Sequence, residues 1–312
     1  MIEANQSTVS RGIITMAFGN QRYVDMAKDF ALSLKLNAPF VPTAILTDSD
    51  DPDLKSLFNH VLPYREEFGS NVGPKFFLDM YTPFDETLYM DSDCLAVGDL
   101  ETFWQSFSGQ YFGVPGWRVL RKGDKDPYCD VDFLLNQFGI DYLPKFNGGA
   151  YFFRRCQETT LFFSLARDLF TRANSLRIGD FRDDGAPDEP VVALAMAISG
   201  LNLTPMPVGG MMTPINSTGP IELNVLRGHC TFIKEGNQVT PNIIHFAGEY
   251  AASFEYARER AKVRYHFKGR QVPLMELLGA YLRSVPWQIS RKTRTLARRM
   301  FEWKRQYTPE AS

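Results

Sequence analysis

The segment Leu88-Tyr89-Met90-Asp91-Ser92-Asp93 constrains this chain more than any other, because an apolar run ends abruptly in two acids one residue apart. Along an extended strand, residues i and i+2 project to the same side, so the carboxylates of Asp91 and Asp93 are able to converge on one hard cation. They would do so at the strand's carboxyl end, where open α/β sheets bind ligands. Spacing alone leaves a second reading open, a solvated turn, which is the commoner use of such a pair.

The segments around it define a fold class. Residues 12–18 read as a buried first strand, residues 23–36 as an amphipathic helix and residues 41–46 as a second strand closing on Thr47-Asp48. A βαβ start of this kind implies a mostly parallel central sheet with helices on both faces. Short helices are expected over 76–81 and 99–107, and a strand returns at 150–153. Helices follow over 159–176 and 189–199, the latter with Pro190 in its first turn, and a late strand covers 243–246. Residues 117–145 mix Gly, Pro, Asp and aromatics with poor periodicity and read as an active-site loop region with short helices. One α/β domain over 1–250 with a helical, basic appendage over 251–312 accounts for the pattern.

Composition narrows the function classes. The chain has 312 residues, 44% of them hydrophobic and 22% charged, which suits a soluble protein with a full core. A net charge of -2 gives no global signal for nucleic acid. Cys94, Cys129, Cys156 and Cys230 form no CxxC pair, which argues against a zinc knuckle or a disulfide framework and for a reducing compartment. Residues 1–10 lack the basic and apolar regions of a signal peptide, and no apolar run reaches the ~20 residues of a membrane span. A cytoplasmic location is expected, with the sequons at Asn5 and Asn216 inert.

Five elements then occur in order: Lys75; Asp91-Ser92-Asp93; Phe146-Asn147-Gly148-Gly149; Asp188-Glu189; and His245-Phe246-Ala247-Gly248. The order resembles the GT-A fold nucleotide-sugar glycosyltransferases, most closely family 8, over residues 12–250. The resemblance implies a single Rossmann-like GT-A domain and a divalent metal held by Asp91, Asp93 and His245. A nitrogen donor among carboxylates tilts that metal from Mg²⁺ toward Mn²⁺. It implies that Lys75 reaches the donor, that Asn147 lies beside the reacting sugar and that Gly148 and Gly149 let backbone approach it. Asp188 would bind sugar hydroxyls, and Glu189 would sit opposite the leaving group. Ala17, Phe18 and Tyr23, with Asp48 at a lower grade, would hold base and ribose, while Ser92 and Gly248 fall within the donor-binding motifs. Each element also has a plainer reading. His245 can be read as a core histidine, Lys75 as a surface lysine at a helix start, Asn147-Gly148-Gly149 as a turn, Asp188 as an N-cap and Tyr23 as core packing; as a donor ligand, Lys75 is expected to be removable with loss of donor affinity and rate but not of stability.

Two departures stand out. The family's HFxGxxKPW motif has Ala251 here in place of its lysine, with Arg258 or Lys262 as candidate substitutes, and a position often Gln in the family is Glu189. The function expected is metal-dependent transfer of a hexose from a nucleotide donor, UDP-linked by preference, to a hydroxyl of a glycan or lipid-linked glycan with retention of configuration. A front-face path needs no separate base; a double displacement through Glu189 is the alternative. A sugar-1-phosphate nucleotidyltransferase is a rival, although Ala17-Phe18-Gly19-Asn20-Gln21 is a poor match to its Gly-rich basic loop. A non-catalytic glycan-binding protein with a degenerate site is another. Finally, Arg291, Lys292, Arg294, Arg298, Arg299, Lys304 and Arg305, interleaved with Trp287, Ile289, Leu296, Met300, Phe301 and Trp303, fit either an anionic membrane surface or a helix packed on the domain with a solvated basic face.

Overall fold

The chain opens with β1 (Arg11–Ala17), in which every residue after Arg11 is buried, as expected of a strand covered on both faces. The computed structural model describes residues 10–179, 185–207 and 209–307, with the backbone alone at residue 292 and over 294–307. Asn5 and the basic side chains beyond Arg291 lie outside the described residues. After β1 come α1 (Gln21–Asn37), β2 (Thr43–Thr47), α2 (Leu54–Leu57), β3 (His60–Pro63), α3 (Leu78–Tyr81), β4 (Glu86–Met90), β5 (Cys94–Ala96) and α4 (Glu101–Gln105). They are followed by β6 (Phe112–Gly113), β7 (Arg118–Leu120), α5 (Val131–Phe138), β8 (Leu143–Lys145), β9 (Ala150–Arg154), α6 (Gln157–Thr171) and α7 (Asp188–Ile198). The last part holds β10 (Met211–Met212), β11 (Ser217–Asn224), β12 (His229–Lys234), β13 (Asn237–Val239), β14 (Ile243–His245), α8 (Phe254–Phe267) and α9 (Leu274–Tyr307).

The central sheet has the order β3-β2-β1-β4-β9-β6. β1 pairs in parallel with both β2 and β4, and β2 with β3, so the α/β reading with a largely parallel sheet holds. The order reverses between β1 and β4, which makes the crevice beyond their carboxyl ends a topological switch point. β9 departs from the parallel pattern: it runs antiparallel to β4, with Met90 opposite Ala150, and antiparallel to β6. That pairing brings the turn before β9 to the end of β4.

Local chemistry explains most boundaries. Asn20 caps α1 by accepting from the Arg22 N–H at 2.9 Å, and α1 buries Val24, Ala27, Phe30, Ala31 and Leu34 at helical spacing. β2 begins after Pro42, two residues later than expected, and the 117–145 region holds a short helix, α5, as expected, together with an unexpected strand pair, β7 and β8, around it. The sequence reading passed over the β11-β12-β13 meander entirely. Its signals are a buried Ile221 and Leu223 flanking exposed Glu222, and a two-residue turn with positive φ at Glu235 (51°) and Gly236 (83°).

Helix α8 is fixed to α1 by charge. Asp29, fully buried on α1, accepts from Arg260 and Arg264, the latter through Nη2 at 2.6 Å. Glu259 is buried as completely and accepts from the Val225 N–H at 2.9 Å, Arg258 and Lys262. A buried carboxylate is retained at low cost while its cations are present, and removing one partner strands the others. Replacing Asp29 by Ala is therefore expected to lower unfolding free energy by about 3–5 kcal/mol, read by urea titration; a loss under about 1 kcal/mol would show that α8 docks by apolar contact alone.

Candidate functional site

Two strand junctions bring the site residues together. Past the β4–β9 ladder, the Asp91 N–H donates to Gly149 O at 3.0 Å, so Asp91 meets the Asn147-Gly148-Gly149 turn. Past the β5–β14 ladder, which places His245 opposite Cys94, the Phe246 N–H donates to Asp93 O at 3.0 Å. The two acids and the histidine thus face one another from three strand ends.

Lys75 lies at the centre. Its Nζ is 2.8 Å from Asp188 Oδ2, 3.0 Å from Asp91 Oδ1 and 3.0 Å from Gly148 O, with Tyr89 and Tyr151 rings at 5.1 and 5.8 Å. Burial alone would lower the ammonium's pKa, but Asp188 and Asp91 together hold it above the usual value. Tyr89 donates to Asp91, and Tyr151 to Asp188 at 2.6 Å, so each carboxylate takes one phenol and shares one ammonium. Burial, then the adjacent acids, push both phenols well above their ordinary pKa. The surface-lysine reading of Lys75 is wrong: it is 7% exposed. Asp188 opens α7 but makes no capping hydrogen bond, so the N-cap reading also falls, although an acid in the first turn still suits the helix dipole.

The glycines are obligatory by contact. A Cβ on Gly148 would stand 2.6 Å from Asp188 Oδ2, and one on Gly149 would stand 2.2 Å from His245 Nδ1. Asn147 Oδ1 accepts from the Gly149 N–H at 3.1 Å and lies 2.7 Å from His245 Nδ1. Nδ1 is therefore the protonated nitrogen, and Nε2 points at Asp93 Oδ1 (2.9 Å) and Asp91 Oδ2 (3.5 Å). A neutral imidazole would aim a lone pair at two carboxylates. Burial would lower the His245 pKa, but Asp93 and Asp91 raise it above the usual imidazole value, so without a cation a proton competes for Nε2.

The donor set fits a divalent cation. Three carboxylates, those of Asp91, Asp93 and Asp188, against one ammonium and a neutral imidazole leave two negative charges around Nε2. Cys94 also brings its sulfur within 4.8 Å of Asp93 and His245 ligand atoms. Its thiol is fully buried and held well above its ordinary pKa, by burial and then by Asp93 and Asp91, which disfavours the thiolate a metal needs. Asp91 is the better third oxygen for a hard cation.

Glu189 accepts from the Gly148 N–H at 3.0 Å and lies 3.6 Å from Lys145 Nζ, which in turn pairs with Asp126 at 2.8 Å. Burial, then Asp188, raise its pKa. Lys75, Asp91, Asp93, Lys145, the Asn147-Gly148-Gly149 turn, Asp188, Glu189 and His245 line a cleft of about 1180 Å³ that also includes Tyr23 and Gly248. Tyr23 is 45% exposed, so core packing does not explain it. Ala17, Phe18, Asp48 and Ser92 fall outside the cleft wall. Ala17 and Ser92 are buried, Phe18 stacks on Tyr64 at 4.5 Å, and Asp48 accepts from the Gly19 N–H at 2.8 Å to close the turn after β1. Neither proposed substitute for the missing lysine reaches the cleft: Arg258 and Lys262 are committed to Glu259, and Arg258 also to Leu223 O. The sequence reading missed Tyr89, Tyr151 and Lys145. Only Tyr89 had a local signal, its i, i+2 relation to Asp91.

No protein-family model matches the sequence, and no curated protein matches it. Among solved structures, the galactosyltransferase LgtC in complex with donor and acceptor sugar analogues is similar, with a TM-score of 0.54 and 13% identity over 86% of this chain and 99% of that one. The bifunctional glycosyltransferase WbbM is similar with a TM-score of 0.50 and 9% identity, over 88% of this chain and 52% of that one. The fold is that of the GT-A glycosyltransferases, and these structural neighbours are of the family 8 type. At such identities the likeness carries architecture, and the chemistry rests on the side chains described above.

Replacing Lys75 by Ala leaves Asp91 and Asp188 facing each other without a cation. The expected result is a loss of about 3–5 kcal/mol in stability, contrary to the stability-neutral reading, with urea unfolding as the measurement. A variant as stable as the parent would return Lys75 to a purely ligand-facing role.

Proposed function

We propose that this protein is a metal-dependent glycosyltransferase that moves a hexose from a nucleotide-sugar donor, probed first as UDP-sugars, to a hydroxyl of a glycan or lipid-linked glycan with retention of configuration. The observation that carries the reading is the approach of Asp93 Oδ1 at 2.9 Å and Asp91 Oδ2 at 3.5 Å to His245 Nε2 at the wall of the cleft. A bound divalent cation, Mn²⁺ by preference for the mixed N and O donors, supplies charge stabilisation for a leaving diphosphate.

The chain's own residues do the rest. Asn147 fixes the His245 tautomer so that Nε2 is the free nitrogen. Lys75 bridges Asp91 and Asp188 and fixes their positions relative to each other. Asp188 and Glu189 present carboxylates to the cleft beside Gly148, where sugar hydroxyls and developing positive charge at an anomeric carbon would be held. Tyr23 offers a ring at the cleft wall for a base, and Trp117, 57% exposed, offers a second ring for a sugar. An acceptor hydroxyl can pass its proton to the leaving phosphate, so no residue is required as a general base. The domain division at residue 250 belongs to the same proposal, with the catalytic machinery N-terminal to it.

Asp93→Asn is expected to abolish Mn²⁺-dependent hydrolysis across a panel of UDP-sugars and to weaken Mn²⁺ binding by calorimetry, while circular dichroism is unchanged. Because a raised His245 pKa means that a proton competes for Nε2, Mn²⁺ affinity should fall as pH drops through and below that raised value. Activity insensitive to EDTA, or pH-independent Mn²⁺ affinity, would contradict the reading.

A second reading concerns α9, where Leu274, Met275, Leu278, Leu282 and Ile289 are 46–79% exposed. The exposed apolar row beside a basic segment supports peripheral attachment to an anionic membrane that carries the acceptor. No helix among the described residues is long and apolar enough to cross a membrane. Part of the mixture expected at that surface is used internally, because Trp287 is buried against Tyr250 and Arg291 lies over both rings. Truncation after residue 283 should abolish flotation with anionic vesicles, and binding to them should weaken steeply with salt. Equal flotation with neutral lipid would favour a packed helix.

A further inference from the structure

Five cations line the cleft: Arg22, Lys75, Arg118, Lys145 and Lys234. Lys75 is held between Asp91 and Asp188, and Lys145 between Asp126 and Glu189. Arg22 and Arg118 are exposed to solvent. Lys234 differs from all four. It is partly buried at the end of β12, and its Nζ donates to Thr213 O at 2.8 Å, Thr213 Oγ1 at 3.2 Å and Ile215 O at 3.1 Å. These partners are neutral oxygens, and no carboxylate among the described residues lies within ion-pair distance of it. Burial holds its pKa below lysine's usual value, and Glu235 offsets part of that. The ammonium's three N–H donors all go to neutral oxygens, so its charge stays uncompensated in the cleft wall, and exchanging the longest contact, to Thr213 Oγ1 at 3.2 Å, for an anionic oxygen would supply the counter-charge it lacks.

Its position says which anion. β10 pairs in parallel with β14, Met212 opposite Ile244, so the next positions along the two chains are Thr213 and His245. Neighbouring strands lie about 5 Å apart, which places the residue that anchors Lys234 Nζ next to the histidine of the candidate cation site. On the same wall Ala251 is small.

We propose that Lys234 is the cleft's diphosphate-binding cation, contacting a phosphoryl group held at Asp91, Asp93 and His245 and supplying the positive charge that Ala251 lacks. The inference rests on the donor reading for the identity of the phosphate, and on Lys234 and its three oxygens for the site itself. The contact sits in the ground state as well as the reaction, so its loss should appear in binding.

The test is calorimetry with Mn²⁺ and either UDP or inorganic pyrophosphate. Lys234→Gln keeps a donor for Thr213 and Ile215 oxygens while removing the charge, and Lys234→Met is a second charge-free variant. Both should bind Mn²⁺ as the parent does and lose about 10- to 100-fold in affinity for UDP and pyrophosphate, with Lys234→Arg recovering most of it. Unchanged UDP affinity in the charge-free variants would overturn the proposal and leave the donor reading intact. Loss of Mn²⁺ and UDP together, unrescued by Arg, would assign Lys234 a purely structural part and overturn it as well. A parent protein that binds Mn²⁺–pyrophosphate but not UDP, with the charge-free variants losing pyrophosphate, would keep the anion site and remove the nucleotide. Binding of neither probe by the parent would overturn both.

Discussion

A single buried ammonium organises this molecule. Lys75 is surrounded by Asp91, Asp188, two phenols and a backbone carbonyl, and it ties the end of β4 to the start of α7 and to the turn before β9. These segments lie far apart in sequence, and each carries a charge or dipole that is costly to bury alone. Bringing one cation to two acids satisfies all of them, whereas any one missing leaves the others with an unpaired interior charge. Fold stability and site geometry are therefore the same interaction here. The cation-binding corner adjoins it through Asp91, which serves both Lys75 and His245.

The same division of labour explains why the acids differ. Asp91 through Oδ1 and Asp188 through Oδ2 each accept from one phenol and share the ammonium, which holds both carboxylates in place. Asp93 is left to His245, and its pKa is lowered in spite of burial because that imidazole takes a proton. Glu189 has a backbone amide and a distant Lys145, and burial dominates. Asp93 and Glu189 are thus moved in opposite directions within one cleft, by their partners and not by residue type.

Much of this was legible in the sequence because it is local. The apolar run into Asp91 and Asp93, the paired glycines and the His245 strand each carry their own period or turn chemistry, and the parallel start follows from βαβ order. What was not legible depends on pairing between distant segments. Nothing near Tyr151 marks it as a partner of Asp188, since that contact exists because β9 runs antiparallel in an otherwise parallel neighbourhood. The pairing of Lys75 with Asp91 and Asp188 was not legible because those partners lie 16 and 113 positions away. The β11–β13 meander was passed over because bulged, half-exposed strands have weak alternation. Arg258 and Lys262 looked available to the cleft because the buried acid that claims them, Glu259, resembles any other charge on a helix.

The contacts at Gly148 and Gly149 have a consequence for how such a site can diverge. With His245 Nδ1 at 2.2 Å and Asp188 Oδ2 at 2.6 Å from the positions a side chain would begin, the floor of the cleft admits no stepwise remodelling. Where Trp117, Arg118 and Ile215 bring the cleft wall to solvent, no such glycine contact is imposed. Evolutionary drift and laboratory engineering alike would have to work from the rim inward, changing the molecule that is accepted while the machinery beneath stays frozen. The cleft is in that sense modular at the scale of a few ångströms, an invariant base under an interchangeable lip.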